Sequence, residues 1–397
     1  MPPVEAWEKV LIKLGTKANP GELDQHMATM TCEQCHGGDA TALDDPEAAH
    51  VGLIADPSAP ATNACKQCHP EVAATYWQSM HATLQGETNS IAARAGHATF
   101  EQCPQALQTG FKGECTKCHA TCGDCHISRP NANGKGFIKS HVFNQKPSQA
   151  YQCLACHGAR IGYDYLGSDD EGRAPDVHFS KGMSCMSCHG QVQAHQAAGE
   201  AFDRYHVANT PRCEHCHAVS TANAYHQQHW NDLSCHVCHS VAEYQNCAGC
   251  HTSGVYTTDP VYQANNPFQA FRVGRNPFPD RRFAFVTVRH APVAPDTYAP
   301  WGAEPLSAFD ALPTWKYTTP HNVRRWTPRT QVAAGAHCAS ACHLGEPGGS
   351  DANADLYLWR DFVDAGWPVE AGANESVIVD GALPASWEAA PTTSPQP

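Results

Sequence analysis

Nine copies of Cys-x-x-Cys-His punctuate the chain, and no other feature constrains its fold as strongly. The copies are Cys32, Cys35 and His36; Cys65, Cys68 and His69; Cys115, Cys118 and His119; Cys122, Cys125 and His126; Cys153, Cys156 and His157; Cys185, Cys188 and His189; Cys213, Cys216 and His217; Cys235, Cys238 and His239; Cys247, Cys250 and His251. They use eighteen of the 21 cysteines. A tenth stretch, CASACH, places Cys338 and Cys342 before His343 with three residues between the thiols. The wider spacing still leaves both sulfurs on one side of a helical turn, because positions i and i+4 are neighbours.

C-x-x-C-H is the attachment signature of c-type heme: the thiols bond the porphyrin and the following His ligates the iron. A redox Cys pair does not need that His, and a zinc site has no reason to place one after every Cys pair. Nine identical spacings therefore point to heme c, about ten groups in all. For CASACH two readings stand, a tenth heme or a disulfide, the latter involving Cys103, the one cysteine outside any motif. If CASACH holds heme, Cys103 is an unpaired thiol with no assigned role.

Ten hemes in 397 residues leave about 40 residues for each, so porphyrin would replace much of the apolar core. The expected fold class is mostly irregular and α-helical with little β, the chain wrapped around a linear heme array. Only 16% of residues are charged, and 30 Gly and 29 Pro suit loops and short helices. Motif density divides the chain into residues 1–100 with two motifs, 101–251 with seven, and a Pro- and aromatic-rich 252–397 with the irregular one. Within these, Pro70–Leu84 reads as a helix and Arg281–His290 as strand-like. The terminal TTSPQP reads as a disordered tail. Heme is attached outside the cytoplasm, so a periplasmic or cell-surface location is expected. The first fifteen residues hold no apolar run of signal-peptide length, so the export signal is expected to be missing from this numbering. No stretch approaches 18 apolar residues, so no membrane span is expected. A formal charge of −13 disfavours nucleic acid and permits a basic redox partner. Ser168–Gly172 (SDDEG) reads either as an exposed acidic loop or as a Ca²⁺ site.

Spacing also sets heme contacts. Cys115 and Cys122 are at most about 25 Å apart when extended and roughly 10 Å apart on a helix, comparable to a porphyrin's width. The two rings of that pair must pack together or nearly so, which favours fast transfer between them. An iron with two His ligands only passes electrons, whereas one with a missing ligand can bind substrate. Beyond the ten motif histidines the chain has fifteen more, enough to close every iron. His215 and His236 sit inside motifs, where ring geometry is awkward. Met residues near the motifs read mainly as packing.

The segment CKQCHPEVAATYWQSMH is similar to the C-x-x-C-H…W-x-x-S-x-H segment of the cytochrome c554 and hydroxylamine-oxidoreductase class, and that resemblance makes His81 a distal ligand. CHGARIGYDYLG, DVHFSKGMSCMSCH, HQQHWNDLSCHVCHSVAEYQNCAGCH, VRHAPVAPDTY and LPTWKYTTPHNVRRWTP resemble large multiheme cytochromes of bacteria that exchange electrons outside the cell. That likeness spans most of residues 20–345. It implies His26, His50, His97, His141, His178, His195, His226, His229, His290 and His321 as further distal ligands, eleven candidates for ten irons with His81. It gives less support to His206 and His337. The lysine-ligated C-x-x-C-K variant of several multiheme reductases is absent.

The leading expectation is an electron conduit, with no catalytic residue, serving other redox proteins or an extracellular acceptor or donor. It would act as a monomer or in a filament of further copies. The alternative is a multiheme oxidoreductase acting on a small nitrogen or sulfur compound at one open heme. The segment between His251 and Cys338 is expected to fold back on the array and supply His290 and His321.

Overall fold

The computed structural model describes residues 26, 29–138, 141–219, 223–252, 261–278, 281–331, 338–344, 353–364 and 368–388. His337 and the tail at 392–397 lie outside them. Short helical segments joined by irregular chain dominate, with five short strands among the described residues. The chain forms two compact units. The first takes Met1–Glu87, Phe111–Gly158 and Ser184–Thr210, and the second takes Thr88–Gly110, Ala159–Met183 and Pro211–Pro397. No helix among the described residues is long and apolar enough to cross a membrane.

Most motifs start a short helical turn, and the residue before the first cysteine is often why. Thr31 precedes Cys32–His36, and its N–H is met by Gln34 Oε1 at 2.7 Å. Thr121 precedes Cys122–His126 and forms a reciprocal box with Asp124, at 3.0 and 3.3 Å. Ser184 does the same with Ser187 before Cys185–Cys188. These devices satisfy donors that a helix start leaves unpaired. One turn then puts the two thiols and the His along one side. Helices of four or five residues do not hold themselves in water. Tertiary anchors must fix them.

In the first unit those anchors are mainly polar. Tyr76 is buried, and its hydroxyl donates to Ala120 O at 2.6 Å. Ser58 Oγ meets Thr121 Oγ1 at 2.8 Å, and Gln152 Nε2 donates to Ser128 O at 3.1 Å. Apart from Tyr76, Phe111 and Pro130, the buried side chains among the described residues of this unit are small or polar, including Ala73, Ala82, Ala120, Ser79 and Asp124. The Pro70–Leu84 stretch is two helices, Pro70–Tyr76 and Met80–Thr83, rather than one. The buried Ser79 separates them, because its Oγ accepts from Ala82 N–H at 3.3 Å and starts the second.

The second unit has an apolar core of the usual kind. Strand β1 (Glu243–Gln245) pairs antiparallel with β2 (Phe268–Ala270), setting Tyr244 opposite Gln269. Strands β3 (Arg272–Arg275), β4 (Phe285–His290) and β5 (Trp315–Tyr317) form an antiparallel sheet with β4 central. The FVTVRH content of β4 is β-branched and aromatic, as a strand buried on both faces needs. Val273 and Phe285 of the sheet pack with Leu344, Tyr357, Val379 and Trp387. Val237, inside the Cys235–His239 helix, joins the same cluster. At roughly 1.5–3 kcal/mol per buried large apolar side chain, this cluster is ample to fix that motif. Ser234 N–H donating to Phe285 O at 3.0 Å ties its start to β4.

Candidate functional site

Among the described residues, seven motif histidines face a second histidine from elsewhere in the same unit. In the first unit His69 faces His26 at 6.2 Å between ring centroids, and His36 faces His141 at 6.2 Å. His157 faces His81 at 6.3 Å, and His126 faces His195 at 6.0 Å. In the second unit His217 faces His178 at 5.9 Å, His239 faces His226 at 6.1 Å, and His343 faces His229 at 6.1 Å. A ligating imidazole nitrogen sits about 2 Å from a first-row metal and about 1.1 Å from its own ring centroid. Two rings on opposite sides of one metal therefore have centroids roughly 6.2 Å apart. The seven pairs have that separation.

Second hydrogen bonds fix several of these rings. The Nδ1 of His36 lies 2.8 Å from Ile54 O, and that of His126 lies 2.7 Å from Asn144 O. His195 Nδ1 reaches Gln191 O at 3.1 Å, and His239 Nδ1 reaches Arg324 O at 3.1 Å. A carbonyl only accepts, so Nδ1 carries a proton, and in the neutral ring Nε2 is left with a free lone pair. In the His126–His195 pair both rings are fixed this way. His178 Nδ1 instead meets the carboxylate of Asp176 at 2.9 Å. The buried Nδ1 atoms of His141, His226, His229 and His343 have no hydrogen-bond partner. Burial lowers the pKa of His141, His195 and His229, and the facing His36, His126 or His343 lowers it further. Both causes favour the neutral ring, the form that metal ligation requires.

Aromatic rings shield the pairs. Phe143 stacks on His26 at 4.3 Å and Phe137 lies against His141 at 4.2 Å. Trp387 touches both rings of one pair, His229 at 5.6 Å and His343 at 6.2 Å. A cavity of about 310 Å³ in the second unit is lined by His217 and His226, members of two different pairs, together with Trp230.

The other candidates are placed differently. His290 is buried in β4 with its Nε2 bonded to the equally buried Glu370, between Tyr262 and Trp315. His50 is exposed, its Nδ1 turned back to Pro46 O at 2.5 Å. His97 and His321 are half-buried. Among the described residues, His119 and His251 have no ring partner. The motif-free segment between His251 and Cys338 does return to a motif, but through Arg324 O on His239 and Thr327 Oγ1 on Cys238 O at 2.6 Å. His236 is half-buried, and desolvation of its ring pushes it down to about 4. Asp169, Asp170 and Glu171 form an exposed 3₁₀ turn. Cys103 is buried near Thr99 O. The sequence alone does not mark Trp387 or the carbonyl partners. The D-V-H spacing was the one available signal for Asp176.

Thiols of different motifs lie side by side. A hydrogen bond from Cys122 draws Cys65 down to about 7, and Cys185 and Cys213 lower Cys153 and Cys235 likewise. The partner thiol, then burial, pushes Cys122, Cys185 and Cys213 up. Burial first and Cys118 next push Cys156 up to about 12, and Cys156 Sγ is 4.0 Å from Cys118 O. Neighbours in space are thus often distant in sequence.

The donor set fits heme c. Among the described residues no group of three or more His, Cys, Asp or Glu side chains converges to hold a metal alone. Two opposed imidazoles with a thiol pair beside one of them suit a planar cofactor that brings its own equatorial nitrogens. No family model, no curated protein and no solved structure matches the chain.

Proposed function

We propose that the chain is a multiheme c-type cytochrome. We propose further that it works as an electron conduit outside the cytoplasm, passing electrons between redox proteins, to or from an extracellular acceptor or donor, or along a filament of its own copies. The observation that carries this is the set of seven histidine pairs at 5.9–6.3 Å, each containing a motif histidine.

The bound hemes would supply the redox-active iron. The chain's residues do the rest. Motif cysteines would anchor the group and motif histidines would ligate its iron. His26, His81, His141, His178, His195, His226 and His229 would supply the second ligand and so keep substrate off the iron. Carbonyls of Ile54, Asn144, Gln191 and Arg324 hold rings in orientation. Phe137, Phe143 and Trp387 exclude water. The adjoining thiols of Cys65 with Cys122, Cys153 with Cys185, and Cys213 with Cys235 support short distances between successive sites. Intact-mass measurement and the visible spectrum of protein matured in a heme-attaching host test the reading. Ten heme additions, Cys338 and Cys342 among the attachment sites, and dominantly low-spin spectra are expected. A mass with no heme would overturn it.

The second reading has a specific address. His119 and His251 are motif histidines without a facing ring among the described residues, so an open iron would be found there. A high-spin fraction that binds nitrite, hydroxylamine or sulfite would favour the oxidoreductase.

A further inference from the structure

We infer that Asp176 is a positioning residue that lowers the reduction potential of the iron held between His178 and His217. This rests on the heme reading above.

His178 faces His217 at 5.9 Å with the ring planes 65° apart. Its Nδ1 is 2.9 Å from Asp176 Oδ1. The four rings His36, His126, His195 and His239 offer Nδ1 to neutral backbone carbonyls. His178 alone of these five meets a carboxylate.

The carboxylate is built in. Asp176 is 1% exposed. Its Oδ1 also accepts from His178 N–H at 2.6 Å, and its Oδ2 accepts from Val323 N–H at 2.5 Å. Its backbone is clamped on both sides. Asp176 N–H donates to Tyr165 O at 3.0 Å, and Ser180 N–H and Oγ both return to Asp176 O at 3.0 Å. Two further charged or titratable groups face it. The guanidinium of Arg324 lies near enough to interact, but its hydrogens go to Asn322 Oδ1 and Ala174 O. His236 is the other, kept neutral by burial.

A carboxylate on the far nitrogen raises the basicity of a ligating imidazole. The more anionic ring stabilises ferric over ferrous iron, and second-shell hydrogen bonds of this kind are a recognised control on heme potential. The carboxylate also fixes the tautomer and ring plane of His178. No electron or proton leaves Asp176 in this role.

The test is a spectropotentiometric titration of the full-length holoprotein and three variants. Asp176→Asn keeps an acceptor oxygen and removes the charge. One component should shift to higher potential by about tenfold in its ferric-to-ferrous ratio, equivalent to about 59 mV for one electron, with the spectrum still low-spin. Asp176→Glu keeps the charge and should hold that component near its wild-type position. Arg324→Gln removes the opposing charge and should move the same component the other way. Superposition of the Asn and Gln variants on wild type overturns the inference. So does an Asp176→Glu shift as large as that of Asn, because charge would then not be the cause. If the Asn variant does not fold, the direction of the Arg324→Gln shift decides alone. Lack of heme absorbance in the wild-type protein would overturn the heme reading itself, a separate outcome.

Discussion

If the chain carries the ten hemes proposed, replacing His195 with Ala should change one iron in ten, and the change should be recognisable by its shape. His126 and His195 face each other at 6.0 Å with ring planes only 9° apart. The other six pairs have planes tilted by 46° to 87°. Parallel axial imidazoles give a rhombic low-spin ferric signal, whereas crossed planes give a strongly anisotropic one. Electron paramagnetic resonance of the oxidised protein should therefore show a rhombic component worth about a tenth of the total iron, given nine regular motifs and one irregular. In the variant that component should vanish, a high-spin signal of equal size should replace it, and the reduced protein should bind carbon monoxide at one new site. The fold should survive. The lost Nδ1 bond to Gln191 O is worth about 0.5–1.5 kcal/mol. The contact with Tyr76 at 6.1 Å is worth about as much again, so about 1–3 kcal/mol should disappear in denaturant unfolding. A rhombic component that persists in the variant, or a variant that stays fully low-spin, would refute the assignment of His195 as a ligand.

Substituting His290 with Ala should leave the spin state unchanged, because its Nε2 is committed to Glu370. It should cost about 3–5 kcal/mol of stability in chemical denaturation, since a buried carboxylate loses its partner. A new high-spin signal would restore a ligand role. The Glu370 carboxyl is lowered: burial pushes it up, but the charge of His290 and hydrogen bonds from His290 and Thr314 outweigh that. Its folded pKa lies below the unfolded value, so its stabilisation is complete above about pH 4.5 and is lost as pH falls through the folded value. Glu370→Gln should remove that acid-dependent limb from the unfolding profile, and an unchanged limb would sink the reading. Removing His226 should disturb two irons rather than one, a high-spin signal of about a fifth of the total, and a signal of a tenth would show its helix neighbour to be independent.

The sequence-level legibility of this chain is uneven for physical reasons. Local chemistry is readable: the Thr or Ser before Cys32, Cys122 and Cys185 announces the turn that carries each motif. The β-branched run Phe285–His290 announces the central strand. Histidines selected as distal candidates do meet motif rings in seven cases, His26, His81, His141, His178, His195, His226 and His229. The partner of each was not readable, because the pairing depends on long-range packing. His141, placed after the fourth motif, meets the His of the first. His290 and His36 look alike as letters, but β4 buries His290 against Glu370, eighty residues on, and nothing local to either residue reveals it. Trp387 was equally opaque, since it joins a core assembled from Val237 to Leu383.

If the pairs close on irons as proposed, they also decide how this chain folds. The spans they close differ widely, from 13 residues between His226 and His239 to 114 between His229 and His343. Loop-closure entropy grows with the logarithm of span, so length alone makes the longer closure about 2 kcal/mol more costly. The short one is accordingly favoured first. His226 and His229 lie three apart on one helix, Ala224–His229, capped by Asn223 Oδ1 on Tyr225 N–H at 2.9 Å. A six-residue helix is marginal by itself. Anchoring His226 opposite His239 orders that helix, and the same turn then presents His229 where Trp387 and His343 meet it. The local pair so bears part of the ordering cost of the distant one, and the two irons of this helix are coupled through a single turn of backbone.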